Sequence, residues 1–179
     1  MTALDHVAVL ARWYVALSLL AAARGKSGGF DAFRRSLSEA FPALGRADAA
    51  LAFAIVAAEW GIAAALLAGG MSAPLGAVAQ YGAICGLALF VLFTVVISAS
   101  ILDGRAIVCT CFGASGRRMD GLDVVRNLVL IAASCVVLLR GSLSLPWPLE
   151  AILAGLAVVG VVATVRLREL AWLLRAKAD

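Results

Sequence analysis

Five long apolar runs separated by short polar segments set the pattern of this chain. They cover roughly residues 7–23, 49–68, 74–102, 122–139 and 148–165. Each reaches at least the lower end of the range of about 17–25 apolar residues with which a helix crosses a bilayer. Between the first two runs, a polar turn at Gly25, Ser27, Gly28 and Gly29 leads into an amphipathic stretch over 30–44. There Phe30, Phe33, Leu37 and Phe41 recur at helical spacing against Arg34, Arg35 and Glu39, which predicts a short helix lying at the membrane interface. The Gly69–Gly70 connection and the segment 141–146 read as tight turns. After the fifth run, Arg166, Arg168, Arg175 and Lys177 alternate with Leu and Trp172, the pattern of a basic helix end resting on headgroups.

Composition makes the membrane reading hard to avoid. Hydrophobic residues fill 64% of the 179 positions, charged ones 15%, and the mean hydropathy is +1.03. A soluble domain of this size cannot bury that much apolar surface against itself. The expected fold is therefore an all-α, polytopic transmembrane helix bundle forming a single integral membrane domain over residues 1–179. The first run is expected to be a retained helix, since no basic leader or small-residue cleavage pattern precedes it. Gly82 and Gly86 form a small-xxx-small pair expected to serve packing within the chain.

A net charge of +4 does not point to nucleic acid, because the basic residues lie in short segments between apolar runs rather than on one face. They read as topology signals and lipid contacts. Arg24, Lys26, Arg34, Arg35 and Arg46, then Arg105, Arg117 and Arg118, then the basic tail, share one side of a five-span arrangement. By the positive-inside rule that side is cytoplasmic.

The unusual chemistry is a thiol pair. Cys109-Thr110-Cys111-Phe112-Gly113 lies in the polar connection between the third and fourth runs, flanked by Arg105, Arg117 and Arg118. With one residue between them the two sulfurs close a small, strained and therefore labile ring, and neighbouring cations favour the nucleophilic thiolate. Cys109 and Cys111 are the candidate catalytic residues of a redox pair. Two readings compete: a static loop staple in a non-catalytic subunit that docks a partner complex, and two-coordinate Cu(I) handling. A closed zinc site is not expected, because the only histidine, His6, belongs to the other face. Cys85 and Cys135 fall inside apolar runs and read as small hydrophobes.

Charges inside the runs carry further information, since a lone charge in hydrocarbon costs about 2.5–3.5 kcal/mol and needs a partner. Arg12 and Glu59 each lie about 15–18 Å from the face that carries the first connection, so the first two helices are expected to pair them. Lys26, Arg126 and Asn127 lie nearer that face, and Asp120 or Asp123 is expected to cap the fourth helix. Apolar walls with a few convergent charges suit a membrane-embedded quinone, which makes Arg12, Lys26, Glu59, Arg126 and Asn127 the candidate cofactor-binding residues.

Arg12, Gly25-Lys26, Phe30, Glu59, the Cys-x-Cys-Phe-Gly element and Arg126-Asn127 together resemble the MauE branch of the MauE/DoxX family of redox-associated membrane proteins. The resemblance covers roughly the first four spans. It implies a four-helix core with one appended helix, and a part in making or isomerising disulfides in exported proteins, MauE being linked to maturation of methylamine dehydrogenase. The arrangement is also similar, at the level of fold alone, to vitamin K epoxide reductase, although that enzyme's CxxC is absent here. By either likeness the cysteine loop of a cytoplasmic-membrane protein faces outward, where disulfides persist, against the charge count. The expectation adopted is an extracytoplasmic cysteine loop exchanging disulfides with a thioredoxin-like or exported thiol partner, and electrons with a quinone.

Overall fold

The computed structural model describes residues 2–70, 75–103, 120–141 and 145–166, together with the backbone of 108–109 and 117–118. Five of its helices are long and apolar enough to cross a membrane. They are α1 (Ala3–Gly28), α3 (Asp48–Ala68), α4 (Leu75–Leu102), α5 (Gly121–Arg140) and α6 (Trp147–Val165), with a short α2 (Phe30–Ala40) between the first two. The polytopic all-α bundle expected from the sequence is the fold that forms, and the protein is a multi-pass, bilayer-associated membrane protein.

Local chemistry explains the helix limits. At the start of α1, the Thr2 backbone N–H donates to Asp5 Oδ2 at 2.7 Å, half of a capping box. The same device opens α5, where Asp120 accepts from the Leu122 N–H at 3.1 Å. The turn expected at Gly25–Gly29 is instead the last turn of α1, which runs on to Gly28. The amphipathic stretch stops as an α-helix at Ala40, because Pro42 disfavours helical backbone at Phe41. It continues as a 3₁₀ turn, Pro42–Ala47, in which Gly45 takes a positive φ of 52° that a side chain rarely adopts.

α1 is the hub. It packs against α3, α5 and α6, while α4 closes the ring by packing on α3 and α5. The result is a four-helix core of α1, α3, α4 and α5 with α6 applied to the outside of α1. Alanines 11, 16, 63 and 83 keep the backbones close around Val15, Leu19, Leu66, Phe90, Leu130 and Val137, which matters in lipid because packing rather than water exclusion holds helices together. Gly82 and Gly86 face α3: a Cβ on Gly82 would lie 3.0 Å from the Ala65 Cβ, and one on Gly86 3.4 Å from Ile62 Cγ2. Large side chains such as Phe53 and Tyr81 point outward, as a lipid-facing surface requires.

Between α4 and α5, Val108–Cys109 (β1) pairs antiparallel with Arg117–Arg118 (β2), in the register Val108↔Arg118 and Cys109↔Arg117. α2 packs against β1 as well as against α3 and α1. The bundle thus has a hairpin end, with the C-terminus of α1, α2 and the N-termini of α3 and α5, and an opposite end with the N-termini of α1 and α6.

Candidate functional site

At the hairpin end, the Lys26 ammonium of α1 donates to Glu59 Oε1 of α3. Both side chains are only 1% exposed. Two rings flank the cation: Phe33 of α2, with its centroid 5.4 Å from Nζ, and Phe93 of α4, at 5.2 Å. Glu59 Oε2 is buried and receives no hydrogen bond from the described residues. Next to the pair, Trp60 Nε1 donates to Ser27 Oγ at 3.3 Å, a second polar link between α3 and α1. Arg126 of α5 stands close enough for its charge to be felt at Lys26, and its Nη1 lies 3.4 Å from Asp123 Oδ1. Asn127 is buried one position further along α5.

The direction of side chains along a helix dictates this partnership. Every Cα–Cβ bond leans toward its helix N-terminus. Lys26, two residues from the end of α1, therefore reaches back into the bundle, while Glu59 on antiparallel α3 leans out toward the hairpin end to meet it.

The expected Arg12–Glu59 pair does not form. By the same lean, Arg12 reaches away from the hairpin end, and its Nη2 donates to Glu150 Oε1 of α6, which also accepts from Trp13 Nε1 at 3.2 Å. Arg12 therefore leaves the proposed cofactor cluster and belongs to the opposite end. Gly70, after α3, sits against this second pair so tightly that a Cβ there would lie 2.4 Å from both terminal nitrogens of Arg12. Sequence reasoning missed Glu150, whose place in the first turn of α6, after Pro146 and Pro148, reads as an ordinary acid at a helix start. It also missed Phe93, one apolar residue among many in its run.

Of the thiols, Cys109 lies on β1 directly across the ladder from Arg117, and Cys111 lies outside the described residues. Cys85 on α4 is exposed on the bundle surface and Cys135 on α5 is half-buried, both as free thiols. Outside the spans, α2 is tied to α3 by Arg34 Nε donating to Asp48 Oδ2 at 2.9 Å. That hydrogen bond and the Asp48 charge raise the Arg34 pKa above its ordinary value, so this guanidinium stays cationic at any physiological pH.

Residues 4–140 match the family described as methylamine utilisation protein MauE. The chain belongs to the MauE family. The matched region takes in α1 to α5, the hairpin and the whole Lys26–Glu59 site, and leaves α6 outside. The Arg12–Glu150 pair therefore joins a helix of the MauE region to a helix beyond it. No curated protein and no solved structure matches the chain.

Proposed function

We propose that this MauE-family protein is a membrane thiol–disulfide redox protein that serves methylamine utilisation by forming or isomerising disulfides in an exported protein. One observation carries the reading: the β1–β2 register sets Cys109 directly across from Arg117, next to a second arginine and two positions from Cys111. Arginines placed beside a cysteine would favour its thiolate, and a thiol two positions away could resolve a mixed disulfide.

The chemistry balances between two proteins. A partner thiolate attacks the Cys109–Cys111 disulfide, one cysteine leaves as thiolate, and the partner's second thiolate then displaces the other. The partner gains a disulfide, and this chain holds two thiols and the two electrons the partner lost. A quinone, if bound, would supply a two-electron, two-proton acceptor for reoxidising the thiol pair. The donor set suits such a ring: Lys26 is a donor for a carbonyl oxygen, and the bare Oε2 of Glu59 is an acceptor for a hydroxyl. Arg126 and Asn127 of α5 would complete that surround.

Single Cys109→Ser and Cys111→Ser variants test the reading. One of them is expected to accumulate a reducible mixed disulfide with a thioredoxin-like or exported partner, and both are expected to lose function. If neither traps a partner and both stay functional, the hairpin is a structural staple in a docking subunit. The same cells settle orientation. With the loop outside, a membrane-impermeant maleimide labels Cys109 and Cys111 in intact cells but spares Cys85 and Cys135; labelling of the loop only after lysis reverses the assignment.

A further inference from the structure

The short helix α2 buries little of itself. Phe33 is its one buried residue, and that ring caps the Lys26 ammonium. Its ion pair to α3, from Arg34 to Asp48, involves a guanidinium 46% exposed and therefore screened by water. Asp31, Arg35 and Glu39 face outward. A glycine stands beyond each end: Gly29 joins α2 to α1, and Gly45, at positive φ, lies in the 3₁₀ turn leading to α3. A helix that buries a single side chain, faces water along one side and has a glycine beyond each end opens at lower free energy than the helices of the core. Beneath it lies the Lys26–Glu59 pair, closed off from water although both groups carry polar heads. Against its flank lies β1.

We propose that α2 is a lid. It turns about Gly29 and the Gly45 turn, withdraws Phe33 from Lys26, and admits water and small polar reactants to the Lys26–Glu59 pair, while its contact with β1 lets the hairpin bias its position. The lid stands whether or not the hairpin cysteines exchange disulfides, since its working parts belong to α1, α2 and α3.

The chain has two lysines, Lys26 and Lys177, so acylation reads the lid without an added probe. The full-length protein in detergent is treated with acetic anhydride beside a lysine-containing peptide as reference, and modification of Lys26 is followed by mass spectrometry. In the wild type Lys26 is expected to react far more slowly than the reference. In Arg34→Ala, where the tie is cut, the Lys26 rate should rise about two- to fivefold, and Arg34→Lys should restore most of the protection. In Phe33→Ala, where the plug is gone, it should rise more than about tenfold. Since Phe33→Ala can loosen the whole bundle, thermal unfolding is measured alongside and the surface variant Arg34→Ala decides. A wild-type Lys26 that reacts like the reference, a rate that Arg34→Ala leaves unchanged, or a rise that appears only with a matching drop in melting temperature overturns the lid.

Discussion

Lys26 and Glu59 join α1 to α3 through a single hydrogen-bonded ion pair withdrawn from both water and lipid. A charge left alone in that place would be costly, so the pair is a condition of the fold whatever else it does. Two aromatic rings flank the ammonium and add to the hold that Glu59 has on it.

The expected energetic signature is non-additive. Lys26→Met or Glu59→Leu alone should each destabilise the protein by about 3–5 kcal/mol, because each leaves the opposite charge buried and unpaired. The double variant should recover most of that loss, since apolar side chains of similar volume fill the same space. Unfolding in detergent measured for all four proteins gives the coupling. If the losses of the two single variants simply add in the double, the two residues do not act as a pair.

How far the sequence reaches is visible in these same residues. The bundle was legible because predominantly apolar runs of this length leave the backbone no alternative in lipid but a helix. The depth of each charge was legible too, by counting residues. The choice of partner was not, since depth alone makes Arg12 and Glu59 equivalent, whereas the lean of side chains toward the helix N-terminus sends Arg12 to Glu150 and brings Lys26 to Glu59. Applying that lean to the counted depths would have found the second pairing. Glu150 stayed hidden for a further reason: an acid in a first turn is expected on helix-dipole grounds alone, and only the parallel docking of α6 on α1, with Val9 near Leu153, gives it a second role.

At the opposite end, Gly70 is expected to be intolerant of a side chain as long as Arg12 and Glu150 are paired beside it. Gly70→Ala places a methyl carbon 2.6 Å from Glu150 Oε1 and closer still to Arg12, so the pair must move apart. A loss of about 1–3 kcal/mol is expected, the usual range for overpacking. In an Arg12→Ala/Glu150→Ala background the same substitution should cost little, because the atoms it meets are gone. Equal losses in both backgrounds, read from thermal unfolding, would place the cost in the backbone of the turn instead.

Two glycines in neighbouring helices make a last and sharper comparison, because they differ in surroundings and hardly at all in chemistry. Gly82 in α4 faces Ala65 and Leu66 of α3, and an added Cβ would lie 3.0 Å from one and 3.5 Å from the other. Gly61 in α3 has nothing within 4 Å of where its Cβ would be. In Gly82→Val the branched side chain should push α3 and α4 apart and cost about 1–3 kcal/mol. Gly61→Ala should be neutral or stabilise by about 0.4–1 kcal/mol, through reduced freedom of the unfolded chain. The separation of α3 from α4 also bears on Glu59 and Phe93, which those helices carry to the Lys26 site. Gly82→Val is therefore expected to speed acetylation of Lys26 as well as lower the melting temperature, and Gly61→Ala to change neither adversely. If Gly82→Val lowers stability while Lys26 stays protected, the α3–α4 contact and the ion pair are mechanically independent.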